Sequence, residues 1–358
     1  MRVTFLIGNG FDINCGMKCT YQDIYKGYVE NRSGEPEIIR AFKDDILQKP
    51  QTWADFEEAM NLYLSRFKSE DEFIRVIRDF KSYMIGYLKN EEANLLARID
   101  KLHGKFGYNV TNEVSRSLEH FYDDISHNVS KVLEGRMKGE HIYYNIISFN
   151  YTKTVDSLLS RCGLAGVIHI HGMLEDDPVL GMDQKEQLND EMQFIPTKRF
   201  CKEFLKPFFN QIYDMYRVTE AKEAISKSDV ICVYGLSFGE SDLTWRNMIV
   251  EWLKSSGHHL FLYDYEYSCK TVFTAFDKID YEDEAKEKFL NRIGVDENTK
   301  NQIIDSLHIR VGGNLFNIAT VLDESEREQK EAEEKEKKQQ ELRKSIADGS
   351  APGIVPIN

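Results

Sequence analysis

Long apolar runs are missing from this chain. No stretch of the sequence is long enough to cross a bilayer. The apolar segment near the start, Val3-Thr4-Phe5-Leu6-Ile7, is too short for a secretory signal, and the polar Asn9 and Asp12 interrupt its continuation. A cytoplasmic location with no membrane partner is therefore the expectation. Cysteine is sparse and unpatterned: Cys15, Cys19, Cys162, Cys201, Cys232 and Cys269 include no CxxC pair. Such scatter suits free thiols in a reducing compartment, not a disulfide frame or a zinc site. Basic charge is also in deficit. Lys and Arg number 46 against 60 Asp and Glu, for a net charge of −14. That balance opposes general binding to a phosphate backbone or an anionic membrane, although a local basic pocket remains compatible with it. No internal repeat is visible.

Apolar residues make up 41% of 358 residues, enough for one large domain with insertions or for two domains. Six short runs have strand character: Val3 to Ile7, Tyr143 to Phe149, Val167 to Ile170, Asp229 to Tyr234, His259 to Asp264 and Leu307 to Val311. Helical sequence separates most of them, the alternation of an α/β, doubly wound, mainly parallel Rossmann-like sheet. One interval is too long for an ordinary crossover. Between 36 and 136 the apolar positions recur at helical spacing: Trp53, Phe56, Met60, Tyr63 and Phe67; then Phe73, Val76, Phe80, Met84 and Leu88; then Val114, Leu118, Tyr122, Ile125, Val129 and Leu133. Thr52 with Asp55 three residues on has the pattern of a capping box. A helix is expected over about 198–227. The division predicted is an α/β domain over 1–35 and 137–322, a large helical insertion over 36–136, and a tail over 323–358. The tail is almost purely charged, with pairs such as Glu326/Lys330 and Glu331/Lys335 spaced for ion pairs on a solvated helix. Its end, from Gly349 to Asn358, reads as loose.

Open α/β sheets bind ligands beyond the carboxyl ends of their strands. The turn after each strand is therefore informative. The first strand ends in Gly8-Asn9-Gly10-Phe11-Asp12, the second in Ser148-Phe149-Asn150-Tyr151-Thr152, the third in His169-Ile170-His171-Gly172, and the fourth in Gly235-Leu236-Ser237-Phe238-Gly239-Glu240-Ser241-Asp242. Four polar or glycine-rich turns should then share one edge. The glycines of the first turn allow a sharp bend and close approach to a nucleotide, or simply a tight turn with no ligand. Asp12 suits a cap or a ligand contact. His171 stands at a strand terminus, where an imidazole can serve as a base. His169 shares its face, but no third ligand is suggestively spaced, so no metal is expected. Asn150 offers an amide that holds a ribose hydroxyl, orients a water, or caps the helix starting near Thr152 or Lys153. Gly235 and Ser237 offer a backbone N–H and a hydroxyl, and Asp242 caps a helix from Leu243 or binds a ribose diol. Gly239 lies one residue too far for a GxSxG nucleophile elbow. Asp55 or Glu57 could reach over the site as a lid carboxylate, and Gly181-Met182-Asp183 is a further loop candidate.

Taken in order, Gly-Asn-Gly-Phe-Asp, Trp-x-Asp-Phe-Glu, Phe-Asn-Tyr-Thr, His-x-His-Gly and Gly-x-Ser-Phe-Gly-Glu-x-Asp resemble the AbiH family of bacterial phage abortive-infection proteins, over most of the chain up to about residue 320. More remotely, the pattern is similar to the sirtuin-like NAD-binding fold. Gly8, Gly10 and Gly16 match its glycine loop, Asn150 its motif asparagine, His171-Gly172 its catalytic His-Gly, and Gly235-Leu236-Ser237 its Gly-Thr-Ser. Thr152 replaces an acid that helps hold the nicotinamide end, and the cysteine-bound zinc module is absent, so deacetylation is not implied.

The resemblance implies a phage-defence effector that cleaves NAD(+) at the nicotinamide–ribose bond. The Gly8–Phe11 loop would bind the pyrophosphate and Asn150 position the water or ribose. His171 would act as general base, and Ser237 and Asp242 would hold the adenosine side. NAD or a related nucleotide and a phage-derived trigger are the partners implied, with self-association left open. The alternative is a non-catalytic nucleotide-binding sensor or scaffold that recruits a partner.

Overall fold

The computed structural model describes residues 1–347 except 31–33, 124–126, 165, 177, 179, 209–214, 265–274 and 312–314. The six anticipated strands form one sheet. They are β1 (Arg2–Ile7), β2 (Tyr143–Ser148), β3 (Val167–His169), β4 (Val230–Tyr234), β5 (His259–Asp264) and β6 (Leu307–Val311). The order is β3-β2-β1-β4-β5-β6, and every pairing is parallel. The chain winds outward from β1 to β3, crosses back to β4, and winds out the other way. The sequence of connections reverses between β1 and β4, which makes the crevice at their carboxyl ends the switch point of the sheet.

Alternation along the central strands loads both faces. Val3, Phe5 and Ile7 of β1 join Val230, Cys232 and Tyr234 of β4 in one core, while Leu6, Ile231 and Val233 enter the other. The second core is closed by α10 (Met215–Ser226), α11 (Leu243–Leu253), α12 (Ala275–Arg292) and α13 (Glu297–Ile303). On the first face lie α1 (Gly10–Asn14), α2 (Tyr21–Tyr28), α3 (Glu37–Gln48), α4 (Phe56–Tyr63), α5 (Glu70–Asp100) and α6 (Lys105–Glu119), whose apolar sides share that face's core. Trp53, Phe56, Phe42 and Phe80 meet there ring to ring; Phe56 and Phe80 stack with centroids 4.3 Å apart.

Local chemistry moves several boundaries. Thr52 does not cap α4. A 3-10 turn over Thr52–Ala54 first buries Trp53, the backbone extends at Asp55, and the Asp55 carboxylate accepts the Glu58 N–H at 3.0 Å. The apolar series from Val114 to Leu133 is two helices, α6 and α7 (His127–Met137), with Ile125 outside the described residues. Between them Phe121 turns into the sheet core against Phe5 and Phe261. The carbonyls this exposes are taken by Arg310, bonded to His120, and Tyr263, bonded to Phe121. The helix expected over 198–227 is likewise broken, into α9 (Lys198–Phe204) and α10, while α8 (Thr154–Arg161) comes after β2.

The charged tail continues one helix, α14 (Ile318–Ala347). Ile318, Leu322 and Ser325 are buried, and Arg98 pairs with Asp323 and Glu326 at 2.6 and 2.9 Å. Its final residues, 348–358, lie outside the described residues. Five cysteines are free, and Cys269 is outside the described residues. Among the described residues no helix is long and apolar enough to cross a membrane, and no three His, Cys, Asp or Glu side chains are grouped to hold a metal.

Candidate functional site

The four strand-end turns meet at the switch point and enclose a cavity of about 260 Å³. Gly8, Asn9 and Asp12 line it from the first turn and Asn150 and Thr152 from the second; His171 comes after β3, and Gly235, Ser237 and Asp242 come after β4. Gly10 and Phe11 do not line it; Phe11 is buried against Tyr234 and Phe316.

The glycines turn out to serve loop against loop. A Cβ on Gly8 would stand 2.5 Å from the Gly235 carbonyl oxygen, and one on Gly10 would stand 2.5 Å from the Gly235 Cα. Gly235 itself has φ +65°. The Gly8 N–H donates to the Tyr234 carbonyl at 2.9 Å, Gly10 N–H to the Gly235 carbonyl at 3.0 Å, and Phe11 N–H to the Gly8 carbonyl at 2.9 Å. These three donors are engaged within the protein, and the helix α1, which Gly10 opens, has only five residues. The Asn9 amide is held as well, donating to the Cys19 carbonyl and accepting from the Cys19 thiol, both at 3.0 Å. The first and fourth turns are thus fastened together as one wall.

His171 and Asp242 form the polar centre. His171 Nε2 lies 3.1 Å from Asp242 Oδ1, and the ring meets Phe149 edge-on. Lys206 Nζ donates to the same Oδ1 at 2.8 Å and to the Ser241 carbonyl at 2.6 Å. All three side chains are buried. Burial alone would raise the Asp242 carboxyl, but the Lys206 charge and the His171 hydrogen bond outweigh it and hold Asp242 well below the usual carboxylate range. Burial would strip Lys206 of its proton, yet Asp242, Asp183 and Glu57 keep it charged. Burial and the Lys206 charge lower His171, against the opposing pull of Asp242 and Asp183. The imidazole is therefore neutral at pH 7. With Nε2–H donated to an ionised Asp242, Nδ1 is the ring nitrogen left as acceptor. Asp242 stands at the head of α11, but its side chain makes no capping bond there.

Asp12, Asp55 and Glu57 also line the cavity, and two of these carboxylates are buried. Asp12 is enclosed; its Oδ2 accepts from Thr152 Oγ1 at 2.5 Å. Desolvation pushes it up to about 7, with Glu92 adding to the rise and Thr152, Thr154 and Asn150 tempering it. Asp12 Oδ1 and Asn150 Nδ2 are buried without a hydrogen-bond partner among the described residues. Asn150 does not cap α8, which begins at Thr154 behind Lys153. Glu57 comes from the first turn of α4. The Tyr21 hydroxyl lies 3.0 Å from each of its oxygens, and burial with the neighbouring Asp55 pushes it up to about 7. His169 goes elsewhere: Nδ1 lies 3.2 Å from the Asn150 carbonyl and Nε2 lies 2.7 Å from Asp156.

Lys206 is not singled out by sequence, yet the Gly181–Met182 loop accounts for its position. Gly181 lacks room for any side chain, since a Cβ would stand 2.1 Å from the Phe204 carbonyl oxygen. Met182 pairs there with Leu205, and Lys206 N–H donates to the Met182 carbonyl at 3.0 Å. This contact ends α9 at Leu205, and Lys206, the first residue of a new helical run, turns inward. Asp183 of the same loop accepts the Thr244 N–H at 2.8 Å.

A parallel sheet in this strand order, with a polar cavity at its reversal point, defines a doubly wound α/β protein of Rossmann-like class. The model of the family described as Bacteriophage abortive infection AbiH matches residues 4–264, and the chain belongs to that family. The match runs from β1 to the end of β5 and includes every strand-end turn described above. Membership assigns the protein a role in abortive infection by phage. Among curated proteins none matches the chain.

Proposed function

We propose that this AbiH protein acts in phage defence by binding NAD(+) at the switch point and hydrolysing the nicotinamide–ribose bond. The observation that carries the proposal is the His171–Asp242–Lys206 chain: a neutral imidazole, fixed by an ionised partner, in a polar cavity at the ligand-binding edge of a doubly wound sheet. The motif resemblance of Asn150 and His171-Gly172 to sirtuin-like proteins supports the same direction. A water attacks the ribose C1′ and gives its proton to His171 Nδ1. The C1′–N bonding pair passes to the ring nitrogen, and neutral nicotinamide leaves. Asn150 orients the water or a ribose hydroxyl. Positive charge that gathers on the ribose is stabilised by the acidic wall.

A cavity of about 260 Å³ holds one half of a dinucleotide, not the whole. An adjoining cavity of about 310 Å³ shares Gly235, Leu236 and Ser237 with it and is rimmed by Lys288 and Arg292. In this proposal the diphosphate runs toward those cations, and the Gly8–Phe11 loop mainly shapes the wall, because the N–H groups of Gly8, Gly10 and Phe11 are engaged. Asp242 orients His171 and does not hold the adenosine ribose.

The test is nicotinamide release from NAD(+) by purified protein. Wild type should release nicotinamide and ADP-ribose, and His171→Ala should lose on the order of a hundredfold or more, the usual worth of a positioned base. Turnover unaffected by His171→Ala would remove the imidazole from the chemistry.

A further inference from the structure

We propose that Glu57, with Asp55 beside it, selects a cationic ring in the ligand, so that the cavity takes an N-ribosyl pyridinium in preference to the same dinucleotide with an uncharged, reduced ring. The inference rests on the nicotinamide dinucleotide reading of the site and adds to it the element that reads charge.

The charges around the cavity are unequal. Asp12, Asp55, Glu57 and Asp242 line it, against Lys206 as the cationic side chain. Lys206 is bonded to Asp242 and to the Ser241 carbonyl, so its charge answers Asp242 directly. Glu57 is bonded instead to phenols: the Tyr21 hydroxyl is close to both of its oxygens, and Tyr151 adds a second hydrogen bond. A phenol orients a carboxylate without neutralising it. Burying a carboxylate without a bonded cation is costly, and a cation supplied by the ligand would offset that cost. The same cavity holds Asp12 Oδ1 and Asn150 Nδ2, neighbouring buried polar atoms without a well-formed hydrogen bond among the described residues, which a polar guest could satisfy.

Glu57 does not come from a strand-end turn. It belongs to α4, and Tyr21 reaches it from α2, whereas His171 and Asn150 stand on the sheet's own turns. The groups facing Glu57 are Tyr21 and Tyr25 of α2, Asp55 at the head of its own helix, Tyr151 after β2, and Lys206. The tyrosines are driven upward by burial and stay neutral in the working range, and Lys206 stays charged. Burial pushes Glu57 up to about 7. A pyridinium beside Glu57 strengthens its ionised form. A reduced ring does not.

The experiment is calorimetric titration of NAD(+) and of NADH into the full-length His171→Ala protein, which prevents turnover, at pH 8 and pH 6. The expected result is a preference for NAD(+) of at least about tenfold at pH 8, consistent with one unscreened charge contact. That preference should shrink at pH 6 and be abolished by a second substitution, Glu57→Gln. Equal binding of the two dinucleotides at pH 8 overturns the proposal and leaves the dinucleotide site standing. A preference that persists in Glu57→Gln, or one that does not change between the two pH values, overturns it likewise. Absence of binding by either dinucleotide overturns both the proposal and the reading beneath it.

Discussion

Lys206 is the residue on which the site's electrostatics turn. Its ammonium keeps Asp242 ionised in a buried place, and Asp242 in turn fixes the tautomer of His171. Removing it leaves a buried, unanswered carboxylate. Lys206→Met is expected to destabilise the fold by about 3–5 kcal/mol, and Lys206→Met with Asp242→Asn should recover most of that loss, as read by urea unfolding. Asp12 shows the opposite imbalance. Its folded pKa of about 7 lies above the ordinary 3.8, so the native state holds a proton that the unfolded chain releases. The stability that the neutral carboxyl contributes is present below pH 4 and is lost as pH rises through 7. Asp12→Asn should therefore flatten the fall in stability between pH 4 and pH 7 and raise stability at pH 8 by up to about 4 kcal/mol. Equal pH slopes for the two proteins would place the perturbed carboxyl elsewhere. Residue identity made Asn150, His171 and Asp242 visible in the sequence, because each comes after a strand. The bond that keeps Asp242 ionised comes from Lys206, and the one that orients Glu57 comes from Tyr21, both on helix-rich segments whose approach no local pattern encodes.

At the level of elements, the fastening of the first and fourth turns determines the shape of the cavity wall. Gly10→Ala would put a methyl group 2.5 Å from the Gly235 Cα, with backbone on both sides and no flexible side chain to yield. A loss of about 1–3 kcal/mol or more, seen as a lower melting temperature, is expected; a neutral substitution would mean that the turns are not fastened. The glycine pattern was legible, but its purpose was not: a nucleotide loop and a loop-to-loop contact both require residues without a side chain. Helix ends were misplaced for a related reason. Asp55 supplanted Thr52 as a cap, and Phe121 and Leu205 broke continuous-looking helices, because contacts with the sheet and with Gly181–Met182 outweighed helical spacing.

Across the whole molecule, strand identity and sheet class were the most legible features. Short β-branched and aromatic runs separated by helical sequence leave few alternatives to a parallel sheet, and the polar turns had to gather at one edge once the strands ran the same way. The strand order needed the structure, since no residue announces which neighbour its strand will take. The family match then joins this architecture to abortive infection. In the proposed function, loss of a nucleotide that the infected cell requires links the two. The most direct test tracks NAD(+) in bacteria producing either the wild-type chain or His171→Ala, sampled before and after infection by a phage that the wild type restricts. NAD(+) is predicted to collapse after infection only with the wild type, and His171→Ala to preserve NAD(+) and lose protection. Protection by the wild type with NAD(+) unchanged, or protection retained by His171→Ala, would contradict the proposed hydrolase.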